Sequence, residues 1–202
     1  MTHLQIKTDR IRPTIVDLVV GSLKAGQVLV LPTDTIYGLS CLASEPRAIK
    51  KIYHIKKRDR RKPVLVLVSD LAMAKKYVSI SKKQAALLKY FWSKKSEPTT
   101  VILKNKKKLP KVLTGDSDGL AVRLPKSKFL IKIIEKAGCP LVSTSLNFSG
   151  QPDIKNLKKL SEYFPKKSDR PDLVIDTGPP LRRHPSRLID LRISGRAIVI
   201  RS

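Results

Sequence analysis

The stretch that most constrains this chain is residues 140–152, PLVSTSLNFSGQP, where a short apolar segment runs into a dense polar turn. Pro140, Leu141 and Val142 read as the end of a buried strand. Ser143, Thr144, Ser145, Asn147 and Ser149 follow, closed by Gly150. Hydroxyls and an amide at this density are poor core material. They suit a loop that offers side-chain and backbone donors to an anion or a nucleotide. Ligands of open α/β sheets sit beyond the carboxyl ends of the strands, which is where such a turn lies. The same residues also suit a turn that caps a following helix, the commoner use of such residues when taken alone.

The rest of the chain repeats the pattern. Residues 1–12 are polar, with Leu4 and Ile6 hinting at an edge strand. From Pro13 the apolar spacing of Ile15, Leu18, Val19 and Leu23 is helical, with Gly26 as its stop. Residues 27–31 (QVLVL) read as a buried strand that breaks at Pro32 into a second polar turn, with Thr33, Asp34, Thr35, Tyr37 and Gly38. A helix over 45–56 places Ala48, Ile49, Ile52 and Tyr53 on one face. It leads into KKRDRRK, residues 56–62, in which only Asp59 is not basic. Strands are expected at 63–68, 100–103 and 120–124, and helices at 69–77, 81–92, 126–137 and 154–164. Three short strands near 173–176, 187–191 and 197–201 close the chain. Alternation of strands and helices without internal repeats gives an α/β class with a mixed sheet, and one domain over 1–202 is expected.

Charge is the loudest compositional feature. Forty-two Lys and Arg against sixteen Asp and Glu leave +26. That favours polyanionic partners and salt-dependent association, although lysine is spread over the whole chain. Aromatic residues at 5% argue against a stacking platform for single-stranded nucleic acid. Two cysteines, Cys41 and Cys139, give no disulfide framework and point to a reducing cytoplasm. Three scattered histidines offer no zinc spacing, and no apolar run has the length of a membrane span. The DSDG of residues 116–119 lacks the remaining ligands of a calcium loop.

Three strand ends therefore carry polar turns or cations, at 32–38, 56–62 and 143–150. Arg123, set in the apolar strand LAVRL, is a fourth element, and such an arginine is seldom left without a fixed partner. There is no GxGxxG or Walker A sequence and no Ser-His-Asp arrangement. Hydroxyls with Lys and Arg, and no evident base or nucleophile, fit transfer at phosphorus, which needs positioning and charge neutralisation.

PTDTIYGL, the Lys56-x-Arg58 pair followed by Lys62-Pro63, AVRLP, and STSLNFSGQP with its Ser145-x-Asn147 pair together resemble the YrdC/TsaC family of threonylcarbamoyl-AMP synthases. The motifs occur in the family's order over residues 13–201. The resemblance implies a YrdC-like twisted open mixed sheet with helices around a basic concave cavity. It implies a nucleotidyltransferase that makes L-threonylcarbamoyladenylate and pyrophosphate from L-threonine, bicarbonate and ATP, with Mg2+ carried on the phosphates. The product feeds the threonylcarbamoyladenosine modification of tRNA through a downstream transferase machinery. Position by position, Lys56, Arg58, Lys62, Ser145 and Asn147 match nucleotide-contacting residues, with Lys56, Arg58, Ser145 and Asn147 at the reacting phosphate. Thr35, Arg123 and Ser143 match positions that hold threonine, and Arg201 resembles an arginine that closes over ATP.

The departures are local. Lys57 and Asp59 stand where many relatives carry glycine and proline, and Leu67 where longer relatives often have a histidine. WSKKSEP at 92–98 replaces a Trp-Pro-Gly-Pro loop, and Ser186-Arg187 replaces a serine-threonine pair. The expectation is the short form of the family, without the extra C-terminal domain of the longer branch. Two other readings stay open: a non-enzymatic RNA-binding module using the same basic cavity, and a paralogue that hydrolyses ATP in another pathway.

Overall fold

The computed structural model describes residues 1–6, 12–154, 156–179, 184–193 and 196–202. Ten strands form one mixed sheet in the order β1-β8-β2-β3-β7-β4-β6-β5-β9-β10. They are β1 (Thr2–Gln5), β2 (Leu29–Leu31), β3 (Gly38–Leu42), β4 (Leu65–Leu67), β5 (Thr99–Lys104), β6 (Gly119–Arg123), β7 (Leu141–Ser145), β8 (Leu173–Asp176), β9 (Arg187–Asp190) and β10 (Ile198–Arg201). The centre is antiparallel: β7 pairs with β3 on one side and β4 on the other, so the two polar turns of the sequence meet at one edge of the core.

Helices α1 (Pro13–Lys24), α2 (Pro46–Ile55), α3 (Leu71–Tyr77), α4 (Lys82–Phe91), α5 (Lys111–Thr114), α6 (Lys128–Ala137) and α7 (Leu160–Tyr163) cover the sheet. Val16, Val19, Val20 and Leu23 of α1 pack with Phe129, Leu130, Ile133 and Ile134 of α6 in the common core. Pro13 opens α1 and Pro46 opens α2, positions where the missing N–H has no helical partner to lose. Ser81 begins α4 with a capping box closed by Gln84.

The chain leaves α1 and α2 by the same geometry. Gly26 takes φ +73°, its amide donates to Leu23 O, and the Gln27 amide donates to Ser22 O. After α2 the same pair of bonds runs from Lys57 N to His54 O and from Arg58 N to Tyr53 O, but a lysine occupies the left-handed position at φ +48°. Both are Schellman closures, and the second lacks the usual glycine.

Two expectations are corrected. Residues 154–164 are not one helix, because the Ile154 amide is tied to Leu146 O and Asn156 caps a 3-10 turn at Leu157–Lys159 that runs into the short α7. The three tail strands do not lie together. β8 inserts between β1 and β2, parallel to both, while β9 runs parallel to β5 at the opposite end of the sheet and β10 pairs with β9. Gly178, Pro179 and Pro180 read in the sequence as a turn after the first of the tail strands, and position 180 lies outside the described residues. No helix among the described residues is long and apolar enough to cross a membrane.

Candidate active site

A cavity of about 220 Å3 opens where the ends of β3, β6 and β7 meet the loops before β4 and β9. Thr35, Arg58, Arg123, Ser143, Ser145 and Arg201, drawn from five separate stretches of sequence, all line it. Its floor depends on a glycine: Gly38 pairs with Ser145, and a Cβ at position 38 would stand 2.7 Å from Ser143 Oγ.

Each arginine is delivered differently. Arg123 ends β6, where its carbonyl accepts from the Val68 amide, and it is 3% exposed. Its Nη1 lies 3.5 Å from Asp34 Oδ1 and 3.4 Å from Thr35 Oγ1, while its Nε has no hydrogen-bond partner. Asp34 is also buried, and neither of its carboxylate oxygens accepts a hydrogen bond. Burial draws the Arg123 guanidinium below its usual range, Asp34 opposes this, and Arg201 adds to it. Arg58 follows the lysine-closed end of α2 and donates through Nε to Lys62 O at 3.1 Å and through Nη2 to Pro63 O at 3.0 Å. Arg201 donates from Nε and Nη2 to Ser186 O. Three guanidinium groups therefore share one small cavity, and of the three Arg123 has Asp34 as an ion-pair partner.

The hydroxyl side is equally ordered. Thr33 Oγ1 donates to Ile36 O at 2.7 Å and accepts from the Thr35 amide at 3.0 Å, which sets the turn that presents Thr35. Tyr37 lines the cavity while its hydroxyl donates to Gly178 O and accepts from the Thr177 amide. Two further buried cavity residues are Thr100, which was not a site candidate, and Ser186, noted in the sequence only as a departure from the family pattern; their hydroxyls lie 2.7 Å apart. A threonine opening the apolar run at 101–103 was the available signal for the first.

The remaining expected site residues lie elsewhere. The Lys62 side chain is exposed, and its carbonyl accepts from Arg58 and from the Tyr53 hydroxyl. Lys56 is 1% exposed. Its ammonium sits 2.5 Å from Ser145 O, 2.5 Å from Asn147 Oδ1, 3.1 Å from Asn147 O and 3.5 Å from Ser145 Oγ. Asn147 completes the knot, accepting from Ser145 Oγ at 2.7 Å and donating to Gln151 O at 2.5 Å. Burial first, and Arg58 second, pull the Lys56 ammonium down to about 8.

Among the described residues no group of three or more His, Cys, Asp or Glu could hold a metal ion. The donors present are cations, hydroxyls and amides. Such donors complement an anion, and the strand-end position is the one at which open α/β sheets hold their ligands. The chain belongs to the Sua5/YciO/YrdC family, termed telomere recombination, whose model matches residues 21–202. It is 31% identical to the threonylcarbamoyl-AMP synthase of Rattus norvegicus over 91% of this chain and 65% of that protein. Its fold superposes on a Sua5 variant from P. abyssi with a TM-score of 0.87 at 27% identity, covering 99% of this chain and 60% of the other. P. abyssi Sua5 complexed with L-threonine gives 0.84 at 25% identity, covering 99% and 56%. The chain thus spans less than two-thirds of the length of each of these three proteins.

Proposed function

We propose that this protein is an L-threonylcarbamoyladenylate synthase. The observation that carries the reading is the convergence of Arg58, Arg123 and Arg201 with the hydroxyls of Thr35, Ser143 and Ser145 on one cavity. Family membership supports it. In this reading the threonine amine adds to bicarbonate with loss of water to give a carbamate. A carbamate oxygen then bonds to the α-phosphorus of ATP, and the bond to the β-phosphate oxygen breaks, releasing pyrophosphate. Negative charge grows on the α-phosphoryl oxygens, and preset cations stabilise such charge without reorganising.

Arg123 is the anchor for the threonine carboxylate, because its guanidinium reaches the cavity with its hydrogen bonding incomplete. Thr35 and Ser143 flank it, and Arg58 and Arg201 face the phosphates. Magnesium belongs to the substrate here, carried by phosphate oxygens and water, since the cavity offers it no acidic ligand set. The test is pyrophosphate release measured with each component withheld in turn. Release that requires threonine, bicarbonate and ATP together is the expected result. Release from ATP alone would identify an ATP-hydrolysing paralogue instead, and no release at all would overturn the assignment.

An ATP-sized anion uses only a few of the 26 excess positive charges. The surplus supports tRNA association that keeps the labile adenylate near its acceptor and the downstream transferase. Such binding weakens steeply between roughly 50 and 200 mM salt. Replacing Lys106, Lys107 and Lys108 with alanine should lower RNA retention and spare adenylate synthesis. Failure to retain RNA even at low salt removes this partner.

A further inference from the structure

The lysine of the Lys56-x-Arg58 pair stands out because it is spent before any ligand arrives. An ammonium has three protons, and four oxygens surround this one, two of them at 2.5 Å. All four belong to Ser145 and Asn147, on the far side of a loop 89 and 91 positions away in the chain. The main chain repeats the link, for Lys56 O accepts from the Ser149 amide at 2.8 Å. Behind it, Ala48, Ile49, Ile52, Tyr53 and Ile55 bury one face of α2 and fix where the helix ends.

Arg58, two residues on, lines the cavity and is held only by two carbonyls of its own loop, Lys62 O and Pro63 O. Sequence spacing makes the two cations look equivalent, but the left-handed turn at Lys57 sends them to opposite duties. We propose that Lys56 is a positioning residue: its ammonium holds the Ser145–Asn147 turn in its working shape and does not itself touch the phosphates. Ser145 is the point of transmission, because its carbonyl is gripped by Lys56, its hydroxyl donates to Asn147, and it still lines the cavity. The lowered ammonium pKa agrees with a group enclosed by protein rather than open to the cavity.

Hydrogen exchange over residues 143–151, in wild type and in Lys56→Met, tests this without any substrate. Its outcome is therefore separate from whether the chain makes an adenylate. Loss of a charged hydrogen bond should speed exchange of the amides in this loop by roughly tenfold or more, whereas Arg58→Ala should leave them unchanged. The activity arm rests on the synthase reading. There Lys56→Met should lower kcat/KM for ATP and threonine together, and Arg58→Ala should fall mainly on ATP.

Should Lys56→Met fail to fold, Asn147→Ala removes the main acceptor from the other side and should speed exchange in the same loop. If both variants fold, the double variant should exchange more slowly than the two single effects combined would give, because the changes share the Lys56–Asn147 Oδ1 contact. Wild-type exchange in the variants, with only the ATP requirement raised, would overturn the proposal and make Lys56 a direct phosphate ligand.

Discussion

Two buried cations of this protein, Lys56 at the end of α2 and Arg123 at the end of β6, live in opposite circumstances. Lys56 is saturated with oxygens from its own chain. Arg123 has one long hydrogen bond, one ion pair at 3.5 Å, and an Nε with nothing to donate to. A buried polar group left unpaired costs free energy, so folding alone gives no reason to keep Arg123 in that state. Under the proposed function, a ligand carboxylate does. The contrast separates cations that complete the fold from cations that await a partner, and it does so by their hydrogen bonds rather than by their burial.

The hardest blow to this contrast is Arg123→Ala. It leaves Asp34 buried with neither counter-ion nor hydrogen bond, and stability should fall by roughly 3–5 kcal/mol in chemical denaturation. Adding Asp34→Asn should restore part of that loss. If it restores none, the pair is not the structural unit inferred here. The milder Arg123→Lys should raise the threonine requirement far more than that for ATP, since lysine cannot grip a carboxylate with two bonds. Equal effects on both substrates would mark Arg123 as a phosphate ligand.

Next in size is the pH response of Lys56, whose ammonium is pulled from 10.5 to about 8 in the fold. The unfolded chain then binds more protons than the folded one between those two values. The stability of wild type relative to Lys56→Met should therefore climb across that window, by about 1–3 kcal/mol, and stay level below it. A difference that stays flat from pH 7 to pH 10 would show that Lys56 is not enclosed.

The smallest effect sharpens the comparison at Lys57, the link between the two duties. Its left-handed backbone costs about 1 kcal/mol for a residue with a Cβ, and its ammonium, 4.9 Å from the Phe148 ring centroid, repays part of that. Lys57→Ala keeps the strain and loses the cation–π contact, so Lys57→Gly should be more stable than Lys57→Ala by roughly 1 kcal/mol. Equal melting of the two variants would refute the strain.

Much of the cavity was legible in the sequence because hydroxyls and cations at strand ends have few structural uses. Thr35, Arg58, Arg123, Ser143 and Ser145 could be picked out that way, whereas Arg201 was reached only through the family resemblance. The direction in which Lys56 points was not, since it depends on a Schellman turn whose usual glycine is replaced by lysine. Nor was the Thr100–Ser186 pair, because the parallel pairing of β5 with β9 leaves no mark in local periodicity. The longer helices, α1 and α6 above all, were read closely, since their apolar spacing and their stops are local, whereas the short α5 and α7 were not. Strand order was not, being decided by contacts between distant segments.

The insertion of β8 between β1 and β2 has a consequence for how the protein is made. Thr2 and Leu29 both take Leu173 as their register partner, so β1 and β2 wait for a strand that is synthesised long after both of them. Until then β2 presents an open edge, and the short polar β1 has nothing to join. The strands of the antiparallel centre, β3, β4 and β7, are all made before this flank can close. Non-local pairing of this kind is slow to form. A nascent chain stopped short of Asp176 therefore carries the arginine cavity's central strands but an unfinished sheet.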